Sequence, residues 1–143
     1  ERHDCVLDLG DSSQMEGASS PFVWRDELYF ILALSGQVKR LDLRAWRDEC
    51  RKISQTLISP LGQVPNDLAL WKDEIAVIHS GDNNVTLYDA ANGSENSRLV
   101  LSLRSNPFNF AISEDGSALA VTEWLKNQIT VFELDKSIRF QFP

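Results

Sequence analysis

The sequence predicts an all-β fold built from three consecutive repeats of about four strands each. Short segments alternate apolar and polar side chains or run continuously apolar, and both patterns are typical of strands. Turn residues such as Gly, Asn and Asp separate these segments. The segments that begin at Pro21, Pro65 and Pro107 can be laid over one another, at intervals of 44 and 42 residues. A repeat of ~40–45 residues made of short strands indicates the blades of a β-propeller.

The second repeat, placed at residues 65–106, shows the plan most clearly. Its predicted strands are Asp67–Trp71, Glu74–His79, Val85–Asp89 and Arg98–Leu103. The strand Glu74–His79 is apolar almost throughout, as expected for a strand that is buried on both faces. An Asn-Gly pair at Asn92-Gly93 predicts the hairpin before the last strand.

The third repeat, residues 107–143, follows the same plan, and the first, residues 21–64, differs in one longer connection. The predicted strands of the third repeat are Phe108–Ile112, Ala118–Glu123, Gln128–Leu134 and Ser137–Phe142. Those of the first repeat are Phe22–Trp24, Leu28–Leu34, Gln37–Leu43 and Lys52–Ile58. The connection 44–49 is interpreted as a loop. A short helical turn is the alternative, because Leu43, Trp46, Cys50 and Ile53 fit helical spacing.

Residues 1–20 contain one extra predicted strand, Cys5–Leu9, followed by a loop rich in Ser and Gly. The three blades and this strand are expected to form one propeller-type domain, as a partial propeller or half of a ring. Closed propellers have roughly four to eight blades, so three blades leave apolar edges open. Further sequence of a longer propeller, a protein partner or a second copy is expected to complete the ring. The strand Cys5–Leu9 then completes a blade of the partner.

The repeats resemble the YVTN and lactonase-like group of β-propellers, within the wider WD40-like set. The shared pattern is a Pro, a short apolar strand, Ser-x-Asp-Gly, an apolar strand, an Asn-containing turn and a strand that ends in an acid. The third repeat matches best, through Pro107, residues 113–116, Asn127 and Glu133, and the resemblance covers about residues 21–143. It implies blade architecture. It does not single out a function, because blades of this kind occur in enzymes, in ligand receptors and in scaffolds.

Composition narrows the classes of partner. There are 14 basic and 21 acidic residues, so the net charge of −7 argues against nucleic acid, which needs clustered Lys and Arg. Acidic residues interrupt the one basic cluster, which comprises Arg44, Arg47, Arg51 and Lys52. No apolar run reaches the ~18 residues that span a bilayer, and no membrane span is expected. Cys5 and Cys50 are interpreted as unpaired thiols, with a bridge between them as the alternative.

The candidate binding residues fall on loops at one end of the blades. In a propeller, the loops that enter each first strand share a face with the loops that join the second and third strands. The predicted rim residues are Asn66, Asp67, His79, Asp82, Asn109, Glu123 and Trp124. His79 and Glu123 occupy equivalent positions in their repeats, as do Asp67 and Asn109.

These residues allow two chemical interpretations. Carboxylate, amide and imidazole groups at a channel mouth can bind a divalent cation or polarise a carbonyl. The resemblance suggests lactonase-like hydrolases of this kind. The interpretation we favour is turn formation, since acids and amides are the usual turn residues. Trp124 is the preferred contact residue, because Trp is enriched among binding hot spots.

Other catalytic patterns do not occur in the sequence. It contains no G-x-S-x-G elbow, no phosphate-binding loop and no thiolate–imidazole cluster for zinc. We therefore expect no catalytic residue, no metal and no cofactor. The predicted function is non-enzymatic recognition of a protein or a small ligand through the rim loops. A metal-assisted hydrolase and a purely structural segment of a larger propeller are the alternatives.

Overall fold

The computed structural model describes residues 17–49 and 54–143, which form three four-stranded antiparallel sheets. The first sheet contains β1 (Ala18–Trp24), β2 (Glu27–Leu32), β3 (Gln37–Asp42) and β4 (Ser54–Ile58). The second contains β5 (Pro65–Trp71), β6 (Glu74–His79), β7 (Asn84–Asp89) and β8 (Glu95–Val100). The third contains β9 (Pro107–Ile112), β10 (Ala118–Glu123), β11 (Gln128–Glu133) and β12 (Ile138–Phe142). Strands that are consecutive in the chain are neighbours in each sheet, which confirms the predicted architecture.

Within residues 17–49 and 54–143, two short helices interrupt the strands. Helix α1 (Leu43–Glu49) follows β3, where the loop interpretation was wrong and the helical alternative was right. Asp42 caps it, since its Oδ1 accepts the N–H groups of Arg44 and Ala45 at 2.8 and 3.2 Å. A single 3₁₀ turn, Trp124–Lys126, joins β10 to β11. Within the described part of the chain, neither helix has the length or apolar character needed to cross a membrane.

The fourth strand of the second sheet begins earlier than predicted, at Glu95 instead of Arg98. The reason is a tight hairpin. Asp89 Oδ1 accepts the N–H groups of Ala91 and Asn92 at 2.9 and 3.0 Å, and Gly93 adopts a φ of 74°. The chain therefore reverses within a few residues. The predicted strand Cys5–Leu9 and the Cys5–Cys50 bridge lie outside the described residues.

Each sheet has a β-bulge near the start of its first strand. The residue pairs beside these bulges show which positions of the three repeats are equivalent. Pro65 pairs with His79 and Pro107 pairs with Glu123, each at the end of a second strand. In the first sheet the corresponding pair is Ala18 with Leu32. Ala18 therefore takes the place of Pro65, and the alignment of Pro21 with Pro65 was wrong. Sequence similarity alone did not show that the first repeat starts earlier.

The core lies between successive sheets. Side chains along β6 alternate between two faces, as they do in any strand. Ile75 and Val77 pack toward the first sheet, whereas Ala76 and Ile78 pack toward the third. All four are completely buried, as the apolar run predicted. Burying a side chain the size of Ile or Val stabilises a fold by about 1.5–3 kcal/mol, so both interfaces contribute strongly.

The outward faces of the two terminal sheets differ. On the first sheet, Phe30, Leu32 and Leu41 point away from the second sheet and are nonetheless buried. On the third sheet, the outward face carries Ile129, Phe140 and Phe142, which are 41%, 47% and 51% exposed. The third sheet therefore presents an apolar face to solvent, which we call the open face.

Candidate functional site

Connections between strands meet at one end of the sheets, as predicted from the repeat. We use "rim" for residues 80–83 and 124–127, together with the segments 61–66 and 101–108, which lead into β5 and β9 and include their first two residues. Backbone hydrogen bonds join each connection to the segment before it. Gly81 N–H donates to Gln63 O at 3.1 Å, and Leu125 N–H donates to Ser105 O at 3.1 Å. The rim is therefore a hydrogen-bonded layer that holds its side chains in place.

Two predicted carboxylates hold the rim and the sheets together. Asp67 Oδ1 accepts the N–H of Leu68, and its Oδ2 accepts the N–H of Phe110 in the next sheet, both at 2.9 Å. Asp82 Oδ2 accepts the N–H of Gln63 at 2.8 Å. Three of these four oxygens are thus directed at backbone donors, as the turn-forming interpretation expects.

The two predicted amides behave differently. The Asn66 side chain donates to Ser80 Oγ, which in turn donates to the carbonyl oxygen of Pro107, so Asn66 links the second and third sheets. Asn109 is exposed, and its backbone N–H donates to Thr122 Oγ1 at 3.0 Å. Asp67 and Asn109, although equivalent in the repeat, do not converge with His79 and Asp82 on a common point.

His79 is buried in a small polar cluster. Its Nδ1 lies 3.2 Å from both Asn84 Oδ1 and Thr86 Oγ1, and its Nε2 has no hydrogen-bond partner among the described residues. Burial lowers the pKa of His79, against the opposing effects of the Asn84 hydrogen bond and the charge of Asp82. The imidazole is therefore neutral near pH 7 and is shielded from solvent.

Glu123 lies in the equivalent cluster of the third sheet, where Gln128 and Thr130 replace Asn84 and Thr86. Glu123 Oε1 accepts from Gln128 Nε2 at 3.1 Å and from Thr130 Oγ1, and Oε2 accepts from Ser102 Oγ at 3.4 Å. All three partners are donors, as a carboxylate requires. The side chain is 1% exposed. The repeat therefore builds the same polar triad twice, once around a buried imidazole and once around a buried carboxylate.

Trp124 borders a cavity of about 480 Å³ at the rim end of the open face. Its apolar lining consists of Phe108, Trp124, Ile129 and Pro143, and its polar lining consists of Thr122, Glu123, Asn127 and Gln128. The rings of Phe108 and Trp124 are 5.7 Å apart and inclined by 56°. The Trp124 side chain is exposed, with 68% relative accessibility for the residue, and the Trp124 backbone N–H donates to Asn106 O at 3.2 Å. An exposed aromatic side chain is thus held on an anchored backbone.

The sequence predicted Glu123 and Trp124 as rim residues, and both line this cavity, whereas Phe108 was not among the predicted rim residues. In the alternation of β9, Phe108 has the same parity as Phe110, which packs on the core. The bulge between the pairs Val121–Phe110 and Glu123–Pro107 changes that alternation and leaves Phe108 45% exposed. The proline that begins the strand is the only local signal near the bulge.

Among the described residues, no group of three or more His, Cys, Asp or Glu side chains lies close enough together to hold a metal ion. Asp67, His79 and Glu123 direct their polar atoms into the protein. The geometry therefore offers apolar and aromatic contact at the cavity, rather than a converging set of polar ligands.

A scan against protein-family models finds no match, and a search of curated proteins finds none. Solved structures do match. A catalytically inactive virginiamycin B lyase from Staphylococcus aureus, solved with quinupristin, aligns with a TM-score of 0.73 at 16% identity, over 95% of this chain and 44% of that one. A streptogramin B lyase aligns with a TM-score of 0.71 at 14% identity, over 89% of this chain and 40% of that one.

BamB from Moraxella catarrhalis aligns with a TM-score of 0.60 at 19% identity, over 85% of this chain and 33% of that one. These proteins are β-propellers, so the three sheets have the fold of propeller blades. The chain spans about two fifths of the length of the two lyases. At these identities the likeness concerns the fold alone.

Proposed function

We propose that this chain is a non-enzymatic recognition module that binds its ligand in the cavity beside Trp124. The observation that carries the proposal is the aromatic pair Phe108–Trp124 at the mouth of a cavity of about 480 Å³. A cavity of this size with mostly apolar walls and a few polar groups is typical of small-ligand sites. Exposed Trp side chains are enriched in binding hot spots, which extends the proposal to a protein side chain as ligand.

The rigidity of the rim supports this proposal. Trp124 and Leu125 both donate backbone hydrogen bonds to the segment before β9, so the loop is ordered before any ligand arrives. Preorganised binding groups lose little conformational entropy on binding, which favours affinity. Among the other predicted rim residues, Asp67 supports the site indirectly, because its carboxylate accepts the backbone N–H of Phe110 in β9, the strand that carries Phe108.

Binding of small neutral apolar fragments tests the proposal. The tryptophan indole N–H signals of ¹⁵N-labelled protein are recorded by NMR while a fragment set is titrated. The Trp124 signal, assigned by its loss in Trp124→Leu, is expected to move. Leu125→Ala is the matched control, because Leu125 is equally exposed and does not line the cavity. Fragments that leave the Trp124 signal unchanged, or that bind Trp124→Leu equally well, contradict the proposal.

The open face favours a second candidate function, assembly into a larger propeller. The side chains of the open face on β11 and β12 are apolar. The equivalent face of the first sheet is covered by the second sheet. We propose that the blades occupy residues 18–64, 65–106 and 107–143 of a YVTN-type propeller, with the first beginning at Ala18 instead of Pro21, and that a further blade covers this face. The spacing of Pro107, residues 113–116 and Asn127 supports that type.

The mass of the chain in solution tests the assembly candidate. An uncovered apolar face is expected to cause concentration-dependent association, because large apolar patches on a surface mark interaction sites. Phe142→Glu places a charge on the face and should restore the monomer without loss of fold, since Phe142 is 51% exposed. A wild-type chain that stays monomeric at high concentration in sedimentation analysis contradicts the candidate.

A further inference from the structure

The rim turn of the third sheet carries apolar and basic side chains where that of the second sheet carries polar ones. Residues 80–83 read Ser-Gly-Asp-Asn, whereas residues 124–127 read Trp-Leu-Lys-Asn at the same length. Asn83 and Asn127 end the two connections with φ angles of 53° and 50°, so the two align residue by residue. Gly, Ser, Asp and Asn are the residues that tight turns favour. The turn itself therefore gives no reason for Trp, Leu and Lys at 124–126.

The segment that leads into β9 is two residues longer than the segment that leads into β5. Leu61 and Leu101 each donate a backbone N–H to the preceding connection, so they are equivalent. Gln63 and Ser105 each accept an N–H from the following connection, so they are equivalent too. One residue separates Leu61 from Gln63, whereas three residues separate Leu101 from Ser105. The added length forms a turn at residues 103–104.

This added turn projects a second apolar and basic pair from the rim. A backbone hydrogen bond of 3.1 Å from the Ser105 N–H closes the turn and places Leu103 and Arg104 at its tip. Leu103 is 83% exposed. Arg104 is also exposed, and its φ of 60° is uncommon for residues other than Gly, Asn and Asp. Leu125, which is 66% exposed, donates its backbone N–H to Ser105 O, so the two tips lie side by side.

Exposed apolar side chains at this end of the sheets share one level. The sheets of a propeller are arranged around one axis, so equivalent residues lie at about the same height along it. Leu34 is equivalent to Leu125, since each lies two residues before the residue of positive φ that ends its connection, Gly36 or Asn127. Leu34 and Val64 are both more than half exposed. A flat surface laid against the rim end therefore meets these side chains together.

The charges of the third sheet are separated between its two ends. Arg104 and Lys126 are exposed at the rim end. The two turns at the opposite end contain three acids and one base, namely Glu114, Asp115, Asp135 and Lys136. The acid of the neighbouring rim connection, Asp82, accepts a backbone N–H through its Oδ2. This separation turns the rim end toward an anionic surface, even though the whole chain carries a net charge of −7.

We infer that the rim end of this module docks on the surface of a membrane that contains anionic lipids. Apolar side chains that project from a protein enter the boundary between headgroups and acyl chains, and Lys and Arg beside them attract anionic headgroups. The inference goes beyond the proposed function, because the residues at the two tips, 103–104 and 125–126, do not line the Trp124 cavity.

A membrane fits these tips better than a protein partner does. A stable protein interface takes about 20–30 residues from each side and depends on matching shapes. The tips instead offer a few side chains that project from separate turns. A fluid bilayer adapts to such projections and needs no matching contour, because hydrophobic burial is non-directional.

Flotation with lipid vesicles tests the inference. The full chain is mixed with vesicles of phosphatidylcholine alone, or of phosphatidylcholine and phosphatidylserine at about 3:1, and the bound fraction is measured against lipid concentration. Binding should be much stronger with phosphatidylserine and should weaken with added salt. Leu103→Ser and Leu125→Ser should each weaken binding about tenfold. Arg104→Gln and Lys126→Gln should each weaken binding to the anionic vesicles about fivefold.

Two control variants show whether the rim end itself makes the contact. Val23→Ser removes an apolar side chain of similar exposure, 61%, next to the turn between β1 and β2 at the opposite end. Phe140→Ser removes an apolar side chain from the open face. Both variants should bind the anionic vesicles as the wild-type chain does.

The outcomes separate this inference from the proposed function. Absence of vesicle binding overturns the inference and leaves the exposed tips to a protein partner. Equal binding to both vesicles, or unchanged binding of the Leu and cation variants, also overturns it. An equal loss in Val23→Ser or Phe140→Ser overturns it as well, because it shows adsorption of any apolar surface. The proposed function fails separately, if no fragment moves the Trp124 indole signal. Leu103 and Leu125 lie on separate segments, so either variant carries the test alone if the other does not fold.

Discussion

Replacing Thr130 with Val tests whether Glu123 is a buried carboxylate held by hydrogen bonds. Thr130 is fully buried, and its hydroxyl donates to Glu123 Oε1 while accepting from Gln128 and Gln141 at 3.2 Å. Val has nearly the same volume, so the change removes the hydroxyl and leaves the packing unchanged. Hydrogen bonds to charged groups contribute about 1.5–3 kcal/mol, and this is the expected loss in the free energy of unfolding.

The second sheet offers a matched control at the equivalent position. The hydroxyl of Thr86 lies 3.2 Å from His79 Nδ1 and from Asn84 Oδ1, and both partners are neutral. Thr86→Val should therefore cost only about 0.5–1.5 kcal/mol, the range for hydrogen bonds between uncharged groups. The same substitution at the same strand position then differs in the charge of the partner, and in the two further hydrogen bonds that Thr130 accepts from Gln128 and Gln141.

Urea denaturation at neutral pH measures both losses, with equal slopes confirming that the unfolded states are comparable. A double-mutant cycle with Glu123→Gln adds a second check, because removing the charge should reduce the cost of Thr130→Val toward that of Thr86→Val. If Thr130→Val costs no more than Thr86→Val, Glu123 is not the charged centre of its triad.

Two further changes are expected to have measurable effects. Burial lowers the pKa of His79 in the folded state, so the unfolded chain takes up a proton first, near the usual pKa of about 6.5. The contribution of His79 to the free energy of unfolding should therefore be fully present above that pH and should decrease as the pH falls below it. His79→Asn should flatten this dependence in urea melts recorded from about pH 5 to 7.5. A slope that is unchanged in the variant would show that His79 is not the group responsible. Gly93→Ala should destabilise the fold more than Gly116→Ala. Both glycines have a positive φ, which costs Ala roughly 1–2 kcal/mol. A Cβ at Gly93 would in addition overlap the Leu57 carbonyl oxygen. At Gly116 the nearest atom is Cε of the flexible Lys72 side chain at 3.2 Å, and equal losses in thermal melts would contradict the reasoning.

Local patterns allowed the strands to be predicted because each depends on neighbouring residues. The apolar run Glu74–His79 predicted a strand buried on both faces, and Ile75, Ala76, Val77 and Ile78 are completely buried. The equivalence of His79 and Glu123 was also predictable from the repeat, since both end a second strand. What the repeat did not show was that these positions point inward, into polar triads.

The candidate site depended on contacts between distant segments. Asp67 was a plausible ligand in the sequence, and only the structure shows that its carboxylate accepts the N–H of Phe110, 43 residues away. Phe108 was assigned to a strand, and only the register of β9 against β10 places it at the cavity beside Trp124.

The sequence by itself determined that this protein consists of propeller-type repeats of four strands, because alternation, turns and repeat length are properties of short segments. Only the tertiary structure decided which polar residues are used up in holding the sheets together and which side chains remain for a ligand. It also decided that the outward face of the first sheet is covered, whereas that of the third is open. The physical reason is that hydrogen-bond partners and burial depend on which sheet packs beside which, and a β-bulge of one residue can redirect an aromatic side chain from the core to the surface.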